Sequence, residues 1–195
     1  MLNVTKTSVD RGVPLYQSMF ETAQGGFTLD KTGLDPNLKL LPGGTLLGYD
    51  ESTRKASVIK GATLTAPAGA TDTTYQVKKG HTLKVGDILG ATLKSKAYAI
   101  TTIVTTDPAF DAVTLNTTLG AALTAGTSLF QAKSEGATVA AFVTTPKGLL
   151  YEDTVLEGNV DVAVVVRGTV YARRIPGVAA DVQAALPLII FSQSY

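Results

Sequence analysis

The run from Asn159 to Gly177 constrains this chain more than any other stretch. Val160, Val162, Val164, Val165, Val166, Thr169, Val170 and Ile175 crowd β-branched side chains into it, and such side chains suit a pleated, half-buried surface. The pattern predicts a strand from Val160 to Val166, a turn or bulge at Arg167-Gly168, and a second strand from Thr169 to Ile175. A stretch this apolar is best satisfied by burial on both faces, in the centre of a sheet or barrel. It carries no catalytic group. The rest of the chain then has to supply strand partners, a module inserted ahead of it, and arms leaving it.

The chain has the material for such a core. Of 195 residues, 45% are hydrophobic and 17% charged, which argues against disorder and allows one large domain or two small ones. Phe27 to Leu29 reads as a short strand, Pro42-Gly43-Gly44 as a turn, and Thr45 to Tyr49 with Ala56 to Ile59 as a hairpin. From about Ala62 to Gln131 the composition turns to threonine, alanine and glycine. Short strands are expected there at 73–77, 82–85, 88–93, 97–104, 112–115 and 128–131, a spacing that indicates a small barrel or sandwich. Beyond Lys133 come predicted strands at 137–144 and 149–151, then the 160–175 pair. A helix follows from Val178 to Leu186, whose Val178, Val182 and Ala185-Leu186 share a face; Pro187 stops it, and Leu188 to Phe191 closes as a strand. The fold class is therefore mainly β. A small barrel-like host domain (1–61 and 133–195) carries an inserted β module (62–132), with one short helix near the C-terminus. A single continuous β-domain is the alternative.

Upstream, Val13 to Glu21 reads as a short strand or a helical turn, broken by Gly25-Gly26. With Leu15, Tyr16, Met19 and Phe20 it is either a packed lead-in or a segment ordered against a partner.

Few residues are positioned for chemistry. His81 is the single histidine and there is no cysteine, so a zinc site is not expected. His81 reads either as a base oriented by Asp87 or as a turn histidine satisfied by backbone and water; no nucleophile motif accompanies it. Asp107 and Asp111 stand four apart in a turn without the calcium-loop pattern, which reads as a solvated loop. The glycines at 43 and 44 precede no phosphate-binding motif. Arg173-Arg174 is a basic pair that is either solvated or faces an acidic partner. A net charge of +1 gives no general drive toward nucleic acid or membrane. No stretch reaches the ~18 consecutive apolar residues of a membrane span, and residues 1–10 lack the apolar core of a signal peptide. No catalytic residue, metal or cofactor is expected, and the chain reads as soluble and made where it is used.

Three segments carry a resemblance. Leu41-Pro-Gly-Gly-Thr-Leu-Leu-Gly48, Gly136-Ala-Thr-Val-Ala-Ala-Phe-Val-Thr144 and Val162-Ala-Val-Val-Val-Arg-Gly-Thr-Val170 resemble strands of the head-decoration proteins of lambda-type tailed phages. The stretch from Gln76 to Ile88, with Tyr98 to Ile103, is similar to modules of head-fibre or auxiliary capsid proteins. The likeness covers about half the chain, and the 62–132 stretch is where it departs most from the small lambda-type protein. It implies a tulip-like β host domain and no catalytic residues. It also implies a structural virion protein, a homotrimer at three-fold or quasi-three-fold positions on the outer face of a capsid, made in the host cytoplasm. The implied partner is the major capsid protein. The capsid-facing residues expected on this basis are Leu2, Val4, Leu15, Tyr16, Met19, Phe20, Arg173 and Arg174, with 62–132 facing outward. The competing reading is a head-fibre or tail-associated module whose threonine-rich insert recognises a host-surface glycan or protein. The absence of tryptophan weighs against it, because sugar platforms usually use aromatic faces.

Overall fold

A computed structural model describes residues 14–194, and they form a mainly β protein with one short helix. The N-terminal stretch forms β1 (Tyr16–Thr22), β2 (Phe27–Asp30), β3 (Leu40–Leu41), β4 (Leu46–Asp50) and β5 (Lys55–Val58). The threonine- and glycine-rich middle forms β6 (Gly61–Thr63), β7 (Thr74–Lys78), β8 (Ile88–Gly90), β9 (Ala97–Val104), β10 (Phe110–Leu115) and β11 (Ser128–Gln131). The C-terminal stretch forms β12 (Gly148–Leu150), β13 (Thr154–Val155), β14 (Asp161–Val162), β15 (Val164–Tyr171), α1 (Ala180–Ala184) and β16 (Ile189–Ser192).

The larger sheet has eight strands in the order β1-β15-β12-β4-β5-β2-β14, with β16 also on β15. The expected hairpin is present: β4 and β5 pair antiparallel from Leu47↔Val58 to Asp50↔Lys55. The smaller sheet has six strands in the order β6-β11-β8-β9-β10-β7. Its end strands meet through the Leu64↔Val77 bridge and the bond from Thr65 N–H to the Gln76 carbonyl. A two-stranded ladder joins β3 to β13.

Three apolar clusters explain the layering. Phe27, Leu47, Leu150 and Val164 fill one side of the larger sheet. Tyr75, Val77, Ile100, Val113 and Leu129 fill the interior of the smaller one. The third cluster joins them, taking Leu46, Leu149 and Val170 from the larger sheet, Ala97 and Phe130 from the smaller, and Val182 from the helix. Successive residues of one strand thus serve different cores: Leu46 and Leu47 on β4, Leu149 and Leu150 on β12, Leu129 and Phe130 on β11. Alternating side-chain direction along a strand makes this possible.

The central run behaves differently from its expected form. No turn interrupts it at Arg167-Gly168; β15 passes straight through and ends at Tyr171, and Ile175 lies beyond it in the core. Of the three register shifts along its pairing with β1, two place an extra residue in β1 and the third places one in β15, at Val166 beside Arg167. Gly168 is there for proximity: a Cβ on it would stand 2.7 Å from the Ser18 carbonyl oxygen. A glycine within a strand pattern often marks close backbone approach rather than a turn.

Two expected strands are absent, each because its backbone groups are used elsewhere. At 82–85 the Leu83 N–H donates to His81 Nδ1 and the Lys84 N–H to the Asp87 carboxylate, so side chains capture donors that a ladder would need. At 137–144 the chain makes only the isolated Ala132↔Phe142 bridge. There the Ala140 N–H goes to Ser95, while Lys133 N–H donates to the Ala141 carbonyl, and bonds to two different segments cannot build one ladder. The helix is shorter than expected; Val178, Val182 and Leu186 share the joint core as their spacing requires, while Ala185, expected on that face, is exposed. Among the described residues no helix is long and apolar enough to cross a membrane.

Gly168→Val is expected to lower stability by about 1–3 kcal/mol through overpacking against β1. Urea unfolding of the variant beside the parent checks this, and an unchanged midpoint would show that β1 is not held at that separation.

Candidate functional site

Where β5 leads into β6, Lys60 enters the protein and is 2% exposed. Its Nζ lies 2.6 Å from Asp87 Oδ2 and donates to the Gly33 carbonyl at 2.7 Å. Asp87 also accepts the Lys84 N–H at 2.8 Å and the Gln131 amide at 3.3 Å. The lysine therefore ties the loop after β2, part of the larger-sheet half, to the 84–87 turn of the smaller one. Burial pushes the Lys60 ammonium below its usual pKa, and the hydrogen bond and charge of Asp87 oppose the shift. Nothing in the motif reading singled out Lys60. Its one signal was a lone charge inside the apolar run from Val58 to Ala62, where an unpaired lysine would be strongly disfavoured.

His81 pairs with a different carboxylate from the one expected. Asp87 belongs to Lys60, whereas His81 Nε2 stands 3.3 Å from Asp111 Oδ2. That contact is electrostatic, since Nε2 makes no well-aligned hydrogen bond. The other ring nitrogen, Nδ1, accepts the Leu83 N–H at 3.2 Å. A neutral imidazole accepting at Nδ1 carries its proton on Nε2, the nitrogen nearer Asp111. Burial holds the His81 pKa below its usual value, against the raising influence of Asp111. With Nδ1 accepting and Nε2 protonated, neither nitrogen has the free lone pair that a general base uses.

Asp107 and Asp111 do not act together. Asp107 caps its own turn by accepting the Ala109 N–H at 2.8 Å. Asp111 is 6% exposed and binds Lys79 Nζ at 2.6 Å, which corrects the solvated-loop reading for that residue. Among the described residues no group of three or more histidine, aspartate or glutamate side chains is disposed to hold a metal ion.

The expected contact residues fall in different surroundings. Leu2 and Val4 lie outside the described residues. Leu15 and Tyr16 pack against the joint core, and Tyr16 donates its hydroxyl to the Leu150 carbonyl at 2.7 Å and stacks on Tyr151. Burial, with Tyr151 adding to it, raises the Tyr16 pKa. Met19 is exposed, and Phe20 lies in β1. Arg173 is exposed; Arg174 lies over the Tyr171 ring and donates to the Pro14 carbonyl at 2.8 Å.

Arg173 and Arg174 line a half-open groove of about 560 Å³ together with Lys78, Lys79 and His81. The segment from Ile175 to Val178 lies along this groove and against β6 and β11. Gly177 permits the approach, since a Cβ there would meet Thr63 Oγ1 at 1.8 Å and Ser128 Oγ at 2.8 Å. The groove thus brings the basic pair singled out in the sequence together with the histidine turn, which sequence reading treated separately.

Comparison with protein-family models, with curated proteins and with solved structures finds no match to this chain.

Lys60→Met should destabilise the protein by about 3–5 kcal/mol, because it leaves a buried carboxylate without its cation. Exposed Lys133→Met should stay within about 0.5 kcal/mol; chemical denaturation compares them. For His81 the folded form resists protonation that the unfolded chain accepts at 6.5. Stability should therefore decline as pH falls below 6.5 and level off below the depressed folded value. His81→Gln should remove that part of the pH dependence. Identical pH–stability curves for variant and parent would contradict the assignment.

Proposed function

We propose that this chain is a structural virion protein that decorates and reinforces the outside of a tailed-phage capsid as a homotrimer at three-fold and quasi-three-fold positions. The supporting observation is how two of the three decoration-like segments come together. Leu41 to Gly48 runs into β4 and Val162 to Val170 into β15, and both strands pair with β12. These two segments thus flank one strand of a single sheet, whereas 136–144 forms no strand.

In this reading residues 1–61 and 133–195 are the tulip-like host domain and 62–132 an inserted small barrel facing outward. In support, the smaller sheet draws every strand from 61–131 while the larger uses only the flanking stretches. The joint apolar cluster holds the two as one rigid plug. Leu15 and Tyr16 root the N-terminal arm, and Leu2, Val4, Met19, Phe20, Arg173 and Arg174 face the shell. An arm that adds a strand to a capsid sheet edge gains backbone hydrogen bonds on docking. Repetition over a shell makes modest contacts large in sum.

Deletion of residues 1–13 stops short of β1 and should leave the fold intact while abolishing binding to empty capsids of the phage. Co-sedimentation with those shells measures it, and full occupancy by the truncated chain would refute the arm's role. The chain in solution should have three times its monomer mass by light scattering. A larger ring would point instead to a tail-tube or baseplate component.

A further inference from the structure

The geometry points to a second binding site: the groove between the 78–81 turn and the 172–178 segment holds an extended acidic segment of a partner polypeptide, one that interleaves carboxylates with apolar residues. This site shares Arg173 and Arg174 with the surface proposed to face a shell, but it is argued from the groove's own lining and does not rest on that reading.

Charge is the first ground. Lys78 and Lys79 of one segment and Arg173 and Arg174 of another line the same groove, and no aspartate or glutamate lines it among the described residues. On a molecule of net charge +1 such segregation is local, and a one-signed cleft concentrates ligands of the opposite sign. Two of the four cations are already occupied. Lys79 is bound to Asp111, and Arg174 to the Pro14 carbonyl and the Tyr171 ring. The side chains of Lys78 and Arg173 have no ion-pair or hydrogen-bond partner among the described residues, and both residues are exposed. One uncommitted cation thus stands on each of the two segments. Carboxylates on successive same-side positions of a strand would reach them, and a guanidinium binds a carboxylate through paired hydrogen bonds.

The rest of the lining decides what kind of anion. It mixes apolar residues (Pro42, Pro176, Phe191) with hydroxyl and amide groups (Thr63, Ser128, Gln183). A phosphate ion has no use for the apolar part. Non-specific single-stranded nucleic acid needs a cationic track with successive aromatic stacking faces, and Phe191 is the one aromatic side chain among the lining residues. The groove is half open to solvent, whereas small-molecule sites bury most of their ligand. An extended peptide matches all three properties. Alternate side chains point to opposite sides, so apolar residues face the apolar lining while carboxylates turn toward the cations.

The test titrates the full chain with a fluorescein-labelled peptide alternating glutamate and valine, and follows anisotropy. Saturable binding is expected, weakened by salt as for exposed charge pairs. The Kd should rise roughly tenfold or more in the double variant Lys78→Glu/Arg173→Glu. Lys133→Glu, exposed and outside the groove, should leave the Kd unchanged. Both substituted side chains of the double variant are exposed, and circular dichroism verifies its fold. A peptide alternating glutamine and valine should not bind. The proposal is overturned by absence of saturable binding or by equal affinity in the double variant. It is equally overturned if inorganic phosphate or oligothymidylate displaces the peptide at matched charge concentration.

Discussion

Everything in this molecule depends on covering β15 and its neighbours on both faces. Val164, Val165 and Val170 are completely buried, and a sheet apolar on both sides cannot leave either to water. One face is covered from within the larger sheet's own half, by Phe27, Leu47 and Val162. The other is covered in large part by material from elsewhere, with Ala97 and Phe130 of the smaller sheet and Val182 of the helix packed against Leu46, Leu149 and Val170. The two sheets are therefore not beads on a string. Separating them would expose the joint cluster, and exposed apolar surface carries about 25 cal/mol per Å².

That packing creates the polar features at the seam. Lys60 sits where the chain passes from one sheet to the other, and its ammonium bonds to a carbonyl on one side and a carboxylate on the other. A buried pair of this kind adds little net stability, since desolvation offsets the attraction, yet it penalises any arrangement that parts the partners. It acts as a register pin between the halves, beside the bond from the Leu93 N–H to the Asp181 carboxylate and the backbone bonds that join 94–97 to 136–140. The groove has the same origin. To reach α1, the chain after β15 passes against β6 and β11 at Gly177, which brings Arg173 and Arg174 into the groove that Lys78 and Lys79 also line.

How much of this was legible in the sequence differs by kind of feature. The hairpin of β4 and β5, the strands of 97–104 and 128–131, and the buried face of the helix follow from patterns a few residues long. The two absent strands also lie in apolar, strand-like text, but side chains and separate segments took their backbone donors. Gly168 was visible as a glycine, yet a turn and a close approach look alike until the neighbouring strand is in place. The histidine shows the limit most clearly. Asp87, six residues away in sequence, was the natural partner, and Asp111, thirty residues away, is the real one.

Sequence by itself determined that the chain is mainly β, where its most buried strand lies, and which local turns and hairpins it makes. These rest on alternation, branching and turn chemistry, which act between near neighbours along the chain. Tertiary structure alone decided which charges meet, that the two sheets share a core, and that two basic segments ninety-odd residues apart line one groove. The physical reason is that ion pairs and packing depend on distance in space, and that distance is set only after every strand has found its partners.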